Sequence, residues 1–142
     1  MDLDRIKHSY KVAIKMQEIG KKLKLNNQEI NELFILGLNH DIGYQFTKDH
    51  TIHNKIGGNQ LKKSNYKYWK EVYYHGELEP KYHSLYLDIL NLSDMQIDKY
   101  GNDVGFNKRL KDIENRYGKE SIVYKKCYIM INNLKNKYQQ II

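Results

Sequence analysis

An apolar helical stripe that ends in two polar residues, His40 and Asp41, constrains the fold of this chain most. Counted back from Asp41, small or apolar residues recur at helical spacing at Gly37, Phe34, Leu33 and Ile30. This spacing predicts a helix with Asp41 on its buried face. A buried carboxylate loses its hydration, and a metal ion compensates that charge at the least cost, with His40 as a neighbouring ligand. The alternative is an exposed helix end, because a His-Asp pair also arises by chance.

Two further polar residues, His8 and Asp94, lie on apolar helical stripes. The stripe of His8 also contains Val12, Met16 and Ile19, and that of Asp94 contains Leu87, Leu90 and Ile97. One such residue is usually a core polar group with satisfied hydrogen bonds, but three from separate helices favour convergence on a shared ion. Imidazole and carboxylate ligands without thiolates suit Mn, Fe, Co, Ni or Zn better than calcium, and they argue against a structural zinc site.

The spacing of apolar residues predicts an all-α fold. Predicted helices cover residues 3–19, 26–41, 66–75, 81–97, 107–118 and 119–138, and another begins near residue 53. We expect Gly20 to end the first helix and Asn107 to cap the sixth. No segment alternates convincingly like a strand, so we expect a compact bundle of about six to seven helices. A single proline and the lack of a Ser- or Gly-rich linker predict one domain over residues 1–142.

Composition restricts the function classes. No apolar run is long enough for a transmembrane helix, and residues 1–4 lack the basic start of a signal peptide. The single cysteine, Cys127, excludes internal disulfides, so we expect a cytoplasmic protein. The net charge is +7, but the lysines form no dense block. This distribution favours a small anionic substrate over nucleic acid as the partner.

Five motifs occur in an order that resembles the HD-domain superfamily of metal-dependent phosphohydrolases. They are the helix around His8, His40-Asp41-Ile42-Gly43-Tyr44, His53-Asn54-Lys55-Ile56-Gly57-Gly58, Tyr74-His75-Gly76, and Leu92-Ser93-Asp94-Met95. The histidine followed by a glycine four residues later, and the histidine of the fourth helix, resemble the branches of the superfamily that hold two metal ions. The resemblance extends over residues 5–118.

The resemblance implies roles for these residues and one or two divalent transition-metal ions per chain. A first ion would be held by His8, His40, Asp41 and Asp94. A second ion would be held by His53, His75 and a bridging Asp41. A metal-bound hydroxide would attack the phosphorus of a phosphate ester or anhydride, in a substrate that we expect to be a nucleotide. The phosphate oxygens are expected to contact two basic residues near the ligands, Arg5 and Lys55.

Other roles remain open for several of these residues. Arg5 and Lys55 suit surface salt bridges equally well, and His53 and His75 also suit a solvated surface. His50 competes with His53 as a ligand. His83 matches no motif, and we expect it to be structural or exposed. Arg109 and Arg116 are expected to pair with Asp112 or Glu120.

Two other function classes suit the same ligands. Some HD-fold proteins with two iron ions are oxygenases, and dependence on oxygen and ferrous iron would distinguish that activity. A non-enzymatic module that binds nucleotides or nucleic acid around a structural metal is the third interpretation. Salt-sensitive binding to long nucleic acid without turnover would favour it.

Overall fold

The computed structural model describes residues 2–141, which form seven α-helices and two short 3₁₀ helices. The α-helices are α1 (Leu3–Lys22), α2 (Asn27–Asn39), α3 (His53–Lys63), α4 (Trp69–Tyr74), α5 (Leu85–Asp94), α6 (Gly105–Tyr117) and α7 (Ile122–Lys137). The 3₁₀ helices are Ile42–Gln45 and Gln139–Ile141. Over residues 2–141 there is no β-strand, only an isolated bridge between Ile97 and Asp103, so the all-α prediction is confirmed.

Polar side chains fix the starts of the helices that carry the site. The Asp2 carboxylate accepts a hydrogen bond from the Arg5 amide at the start of α1. Asn26 and Glu29 form a capping box before α2, and the Ser84 hydroxyl caps α5. Each cap satisfies an amide group that has no partner within its own helix, and it thereby sets where the helix begins.

The hydrophobic core lies between α1, α2 and α5, and it is completed by α4 and α7. Helices α1 and α2 approach closely at Gly37, where an added Cβ would lie 2.5 Å from the Ala13 Cα. Helices α3 and α4 approach at Gly58, where an added Cβ would lie 2.5 Å from the Tyr73 Cβ. A larger side chain at either glycine would separate a helix pair, so both glycines help to bring the polar residues of these helices to one end of the bundle.

Several helix ends differ from the predicted ones. Helix α1 continues through Gly20, because that glycine packs under Leu33, whose Cδ1 would lie 2.7 Å from an added Cβ. Helix α6 begins at Gly105, before the expected cap Asn107. The segment between Asp41 and α3, where the sequence predicts no helix, begins with the 3₁₀ helix Ile42–Gln45. These ends depend on contacts between elements, which local sequence signals do not contain.

Four helices are shorter than predicted. Helix α2 ends at Asn39, so Asp41 follows the helix rather than lying within it, and α7 begins at Ile122 rather than at residue 119. Helix α4 begins at Trp69 rather than residue 66, and α5 begins after its Ser84 cap rather than at residue 81. Helix α5 also ends at Asp94, so the predicted continuation to Ile97 forms a turn and the isolated bridge instead. None of the helices described is long and apolar enough to cross a membrane.

Candidate metal centre

Side chains carried by five helices meet at one end of the bundle. They are His8 within α1, His40 and Asp41 directly after α2, His53 at the start of α3, His75 directly after α4, and Asp94 at the end of α5. All are buried except His53, whose side chain is 16% exposed. Their nitrogen and oxygen atoms form three overlapping groups that could hold metal ions. The structure thus brings together all the residues that the sequence predicted as ligands.

One group of atoms surrounds the Oδ2 atom of Asp41 and the Oδ1 atom of Asp94. The Nε2 atom of His8 lies 2.8 Å from the Asp94 Oδ1 and 3.6 Å from the Asp41 Oδ2. The Nε2 atom of His40 lies 3.5 Å from the same Asp94 oxygen and 3.3 Å from the same Asp41 oxygen. Two imidazoles and two carboxylates therefore converge on one point.

A second group surrounds the other oxygen of Asp41, Oδ1. The Nε2 atoms of His53 and His75 lie 3.0 Å and 3.5 Å from this oxygen. The two Nε2 atoms lie only 3.3 Å from each other. The carboxylate of Asp41 therefore stands between two separate pairs of imidazoles, with one oxygen facing each pair.

The other ring nitrogen, Nδ1, of each of these histidines contacts a backbone carbonyl oxygen. The acceptors for His8, His40, His53 and His75 are the carbonyls of Asp98, Gly37, His50 and Val72, at 2.9, 2.7, 2.8 and 2.6 Å. A carbonyl oxygen only accepts hydrogen bonds, so each Nδ1 carries the proton and donates. Each Nε2 atom therefore faces the centre, where its lone pair can bind a cation once any proton on that nitrogen has left. This arrangement is typical of histidines that bind metals.

The orientation of these side chains suits a bound cation better than it suits hydrogen bonds among them. The Nε2 atom of His40 is buried and has no hydrogen-bond partner. The His53 and His75 Nε2 atoms face each other although their Nδ1 protons are already donated to carbonyls. A divalent cation that accepts these lone pairs would satisfy all three nitrogens, which neighbouring protein groups do not.

Buried charge makes the centre attractive to cations. Burial acts to lower the pKa of His40, but the charges of Asp41 and Asp94 outweigh it and raise that pKa well above its usual range. Burial likewise acts to raise the pKa of both carboxyl groups, yet the histidines hold both pKa values well below their usual range. The aspartates are therefore anionic at neutral pH, as metal ligands must be.

Arg5, Tyr44 and His53 form a stack beside the centre. The Arg5 guanidinium carbon lies 3.3 Å from the centroid of the Tyr44 ring, and that ring lies 4.1 Å from the His53 ring at an interplanar angle of 13°. Burial, helped by the charge of Asp41, raises the pKa of Tyr44 to about 12, so its hydroxyl stays protonated at neutral pH. The stack orients His53 and places the Arg5 cation at the edge of the centre.

Arg109 is a site residue that the sequence assigned only to ion pairing. The expected partner is present, since Asp112 lies 3.5 Å from Arg109 and 3.3 Å from Arg116. The Arg109 side chain also lines the cavity, and its Nε donates to the carbonyl oxygen of Asp94 at 3.4 Å. Its Nη1 is buried without a hydrogen-bond partner. Only the packing of α6 reveals this position, and no local sequence signal could have found it.

The centre forms the floor of a cavity of about 670 Å³. Arg5, Tyr44 and His50 line it, and the ring of His50 packs near that of Tyr117, with centroids 4.9 Å apart. Lys55 is exposed and lies outside the cavity wall, so the structure does not bring this expected phosphate contact to the centre. His83 is exposed and also lies outside the wall, as expected.

Comparison with known families identifies the domain type. A family model described as HD domain matches residues 5–120. Searches of curated proteins and of solved structures find no match to this chain. The matched range contains every residue of the centre described above and most of the chain. The chain therefore belongs to the HD domain family.

Proposed function

We propose that this protein is a phosphohydrolase that uses two divalent metal ions to cleave a phosphate ester or anhydride. The observation that carries the proposal is the position of Asp41, whose two oxygens face two separate pairs of imidazole Nε2 atoms. A carboxylate in this position suits a bridge between two cations, because its charge offsets their mutual repulsion.

Two sets of ligands follow from this geometry. In our proposal, a first ion is held by His8, His40, Asp41 and Asp94. Asp41, His53 and His75, which all line the cavity, would hold a second ion. A mixed set of nitrogen and oxygen ligands suits Mn, Fe, Co, Ni or Zn.

Bound metal ions at such a centre supply Lewis acidity toward phosphate oxygens and lower the pKa of water. The protein supplies orientation and positive charge. Arg5, whose guanidinium carbon lies 3.3 Å from the Tyr44 ring centroid, lines the cavity and would donate N–H groups to phosphate oxygens. Lys55 lies outside the cavity, so we assign phosphate binding to Arg5 rather than to Lys55.

Charge and cavity size support a small phosphorylated substrate, which we propose to be a nucleotide. The chain carries a net charge of +7, and basic side chains such as Arg5 and Arg109 line the cavity. A cavity of about 670 Å³ suits a whole small molecule. We further propose that residues 1–142 act as one HD-type domain, since one hydrophobic cluster joins α1 to α7.

Metal analysis combined with a phosphatase screen tests this proposal. The purified protein is loaded in turn with Mn, Co, Ni, Mg or Fe(II), and phosphate release is measured on nucleotides and simple phosphate esters. We expect turnover with at least one ion, two bound ions per chain at saturation, and neither property in Asp41→Asn. Two bound ions without phosphate release from any substrate would overturn the proposal. Oxygen consumption with Fe(II) would then identify an oxygenase instead.

A further inference from the structure

The cavity above the metal centre is larger than a phosphate group requires. Its volume of about 670 Å³ lies in the range of sites that enclose whole organic ligands, roughly 300–1,000 Å³. The metal-binding residues occupy only its floor. The residues of the other walls therefore indicate which organic group the substrate carries.

Helices α6 and α7 form one of these walls, which we call the α6–α7 wall. Its apolar and aromatic surface comes from Ile113, Tyr117, Ile122 and Val123. Its basic residues are Arg109, Arg116 and Lys126, and neither helix contributes a carboxylate to the cavity. Arg109 and Arg116 share the carboxylate of Asp112, and Lys126 lies 3.9 Å from Glu77 on another part of the cavity. The main feature of the wall is therefore its apolar and aromatic surface, which suits an organic group.

Two features of the α6–α7 wall favour an aromatic group. The ring of Tyr117 is flanked by the His50 ring at 4.9 Å and by the Arg116 guanidinium at 5.3 Å, so this edge of the cavity offers stacking surfaces. Ile122 is 76% exposed at the start of α7, although it lines the cavity. A ligand ring placed here would remove that apolar surface from water, which is favourable.

Arg109 lies where the metal centre meets the α6–α7 wall. Its Nε contacts the carbonyl oxygen of the ligand residue Asp94, while Ile113 follows it by one turn of α6. A guanidinium carries five N–H donors. Among residues 2–141, Arg109 makes this one hydrogen bond and an ion pair with Asp112, whose Oδ2 lies 3.5 Å from its Nη1, so further donors remain for a ligand. A phosphate held between the centre and Arg109 would thus direct its organic substituent along the wall.

We infer that the α6–α7 wall is the subsite for an aromatic group of the substrate, adjacent to the phosphate. The inference rests on the proposed function and adds the place where the aromatic ring of the substrate, such as a nucleobase, would bind. Helix α7 begins at Ile122, beyond the residues that the family model matches. The α7 part of the wall therefore lies outside the matched domain, whereas the α6 part lies within it.

Binding of two phosphonates to the metal-loaded protein tests the subsite without relying on turnover. Phenylphosphonate and methylphosphonate carry the same anionic group and differ in the organic substituent. We expect calorimetry to show that the wild type binds phenylphosphonate about tenfold more tightly. The double variant Ile122→Ser/Val123→Ser should lose most of this preference and keep its affinity for methylphosphonate, its metal content and its unfolding temperature.

Ile129→Ser is the matched control. Ile129 is also an exposed isoleucine of α7, at 44%, but it lies outside the cavity wall, so this variant should keep the full preference. Equal binding of both phosphonates by the wild type, or an unchanged preference in the double variant, would overturn the subsite and leave the phosphohydrolase proposal intact. Failure of both phosphonates to bind would overturn the two proposals together.

Discussion

Two regions of the interior hold a buried carboxyl group in different ways. Glu71, in α4, is 2% exposed, and its Oε2 accepts hydrogen bonds from the hydroxyls of Tyr82 and Ser84, both at 2.7 Å. Asp41 is 6% exposed, and the groups nearest its oxygens are imidazole Nε2 atoms. The Nδ1 protons of those imidazoles are donated to backbone carbonyls.

The difference lies in which protons are available. Hydroxyl donors satisfy the Glu71 oxygen within the protein, so that region is complete without a ligand. The imidazoles around Asp41 turn their Nδ1 protons outward, so the centre presents electron pairs that a cation would satisfy. Both regions contain a buried carboxyl group. The orientation of the neighbouring protons distinguishes a hydrogen-bonded network from a site that could hold metal ions.

Removal of the Asp41 charge is the strongest test of the difference between the two regions, because the centre should not bind metal without it. Asp41→Asn keeps the shape of the side chain, but we expect loss of both metal ions and a fall in activity of at least about a thousandfold, because both ions lose a shared anionic ligand. Metal-loaded wild type should also unfold at a higher temperature than the variant, since ions that bind only the folded state stabilise it. Elemental analysis, phosphate release and calorimetry measure these three effects.

Glu71→Gln is the matched change in the other region, which we call the closed network and which consists of Glu71, Tyr82 and Ser84. It should cost about 1–3 kcal/mol of unfolding free energy, because an amide replaces an acceptor of two hydroxyl donors. Its metal content should equal that of the wild type. Loss of metal from Glu71→Gln, or full metal content in Asp41→Asn, would contradict the distinction between the two regions.

His53→Ala and His75→Ala test whether the two oxygens of Asp41 bind two different ions. Either variant should bind half as much metal as the wild type, because the ligands of the other ion remain, and activity should fall steeply. Anomalous diffraction at the metal edge should then show a peak beside Asp94 and none beside residue 53 or 75. His83→Ala is the control and should change little, since His83 is exposed outside the cavity. One ion per wild-type chain, retained by both variants, would refute the second site.

Arg5→Ala tests whether the cation at the edge of the centre acts on the substrate. Loss of a charge-assisted contact to phosphate should cost about 2 kcal/mol, which is a fall of about thirtyfold in kcat/KM. The first ion should remain fully bound, because the ion pairs of its proposed ligands among residues 2–141 do not involve Arg5. If the content of that ion falls as far as the activity, Arg5 has a structural role.

The smallest effect is expected from a change in the stack of Arg5, Tyr44 and His53. Tyr44→Leu removes the ring that packs on His53, and it should weaken the binding of the second ion by about tenfold, as is typical when a group that orients a ligand is lost. Tyr44→Phe keeps the ring and should bind both ions as the wild type does. Titration of the apo protein with Mn²⁺, followed by electron paramagnetic resonance, measures both affinities. Equal affinities in the two variants would show that the ring does not position His53.

The sequence by itself determined the helical class and the set of polar residues that the fold buries together. His8, Asp41 and Asp94 interrupt apolar stripes, and a stripe is a local property that follows from helical periodicity. Burial of a polar residue on such a stripe has a cost that a partner must compensate, so the pattern alone indicated an ion. The order of the motifs added His53 and His75.

Only the tertiary structure decided which nearby basic residues face the centre. Arg109 reaches Asp94 and Lys55 does not reach the cavity, although Lys55 lies closer in sequence to a predicted ligand. The stack of Tyr44 on His53 and the closed network of Glu71 also join residues from different elements. These outcomes depend on how α6 packs and on where the turn after α2 runs. Local periodicity contains no information about the packing of one helix against another, so the direction of each such side chain is settled only when the helices are in place.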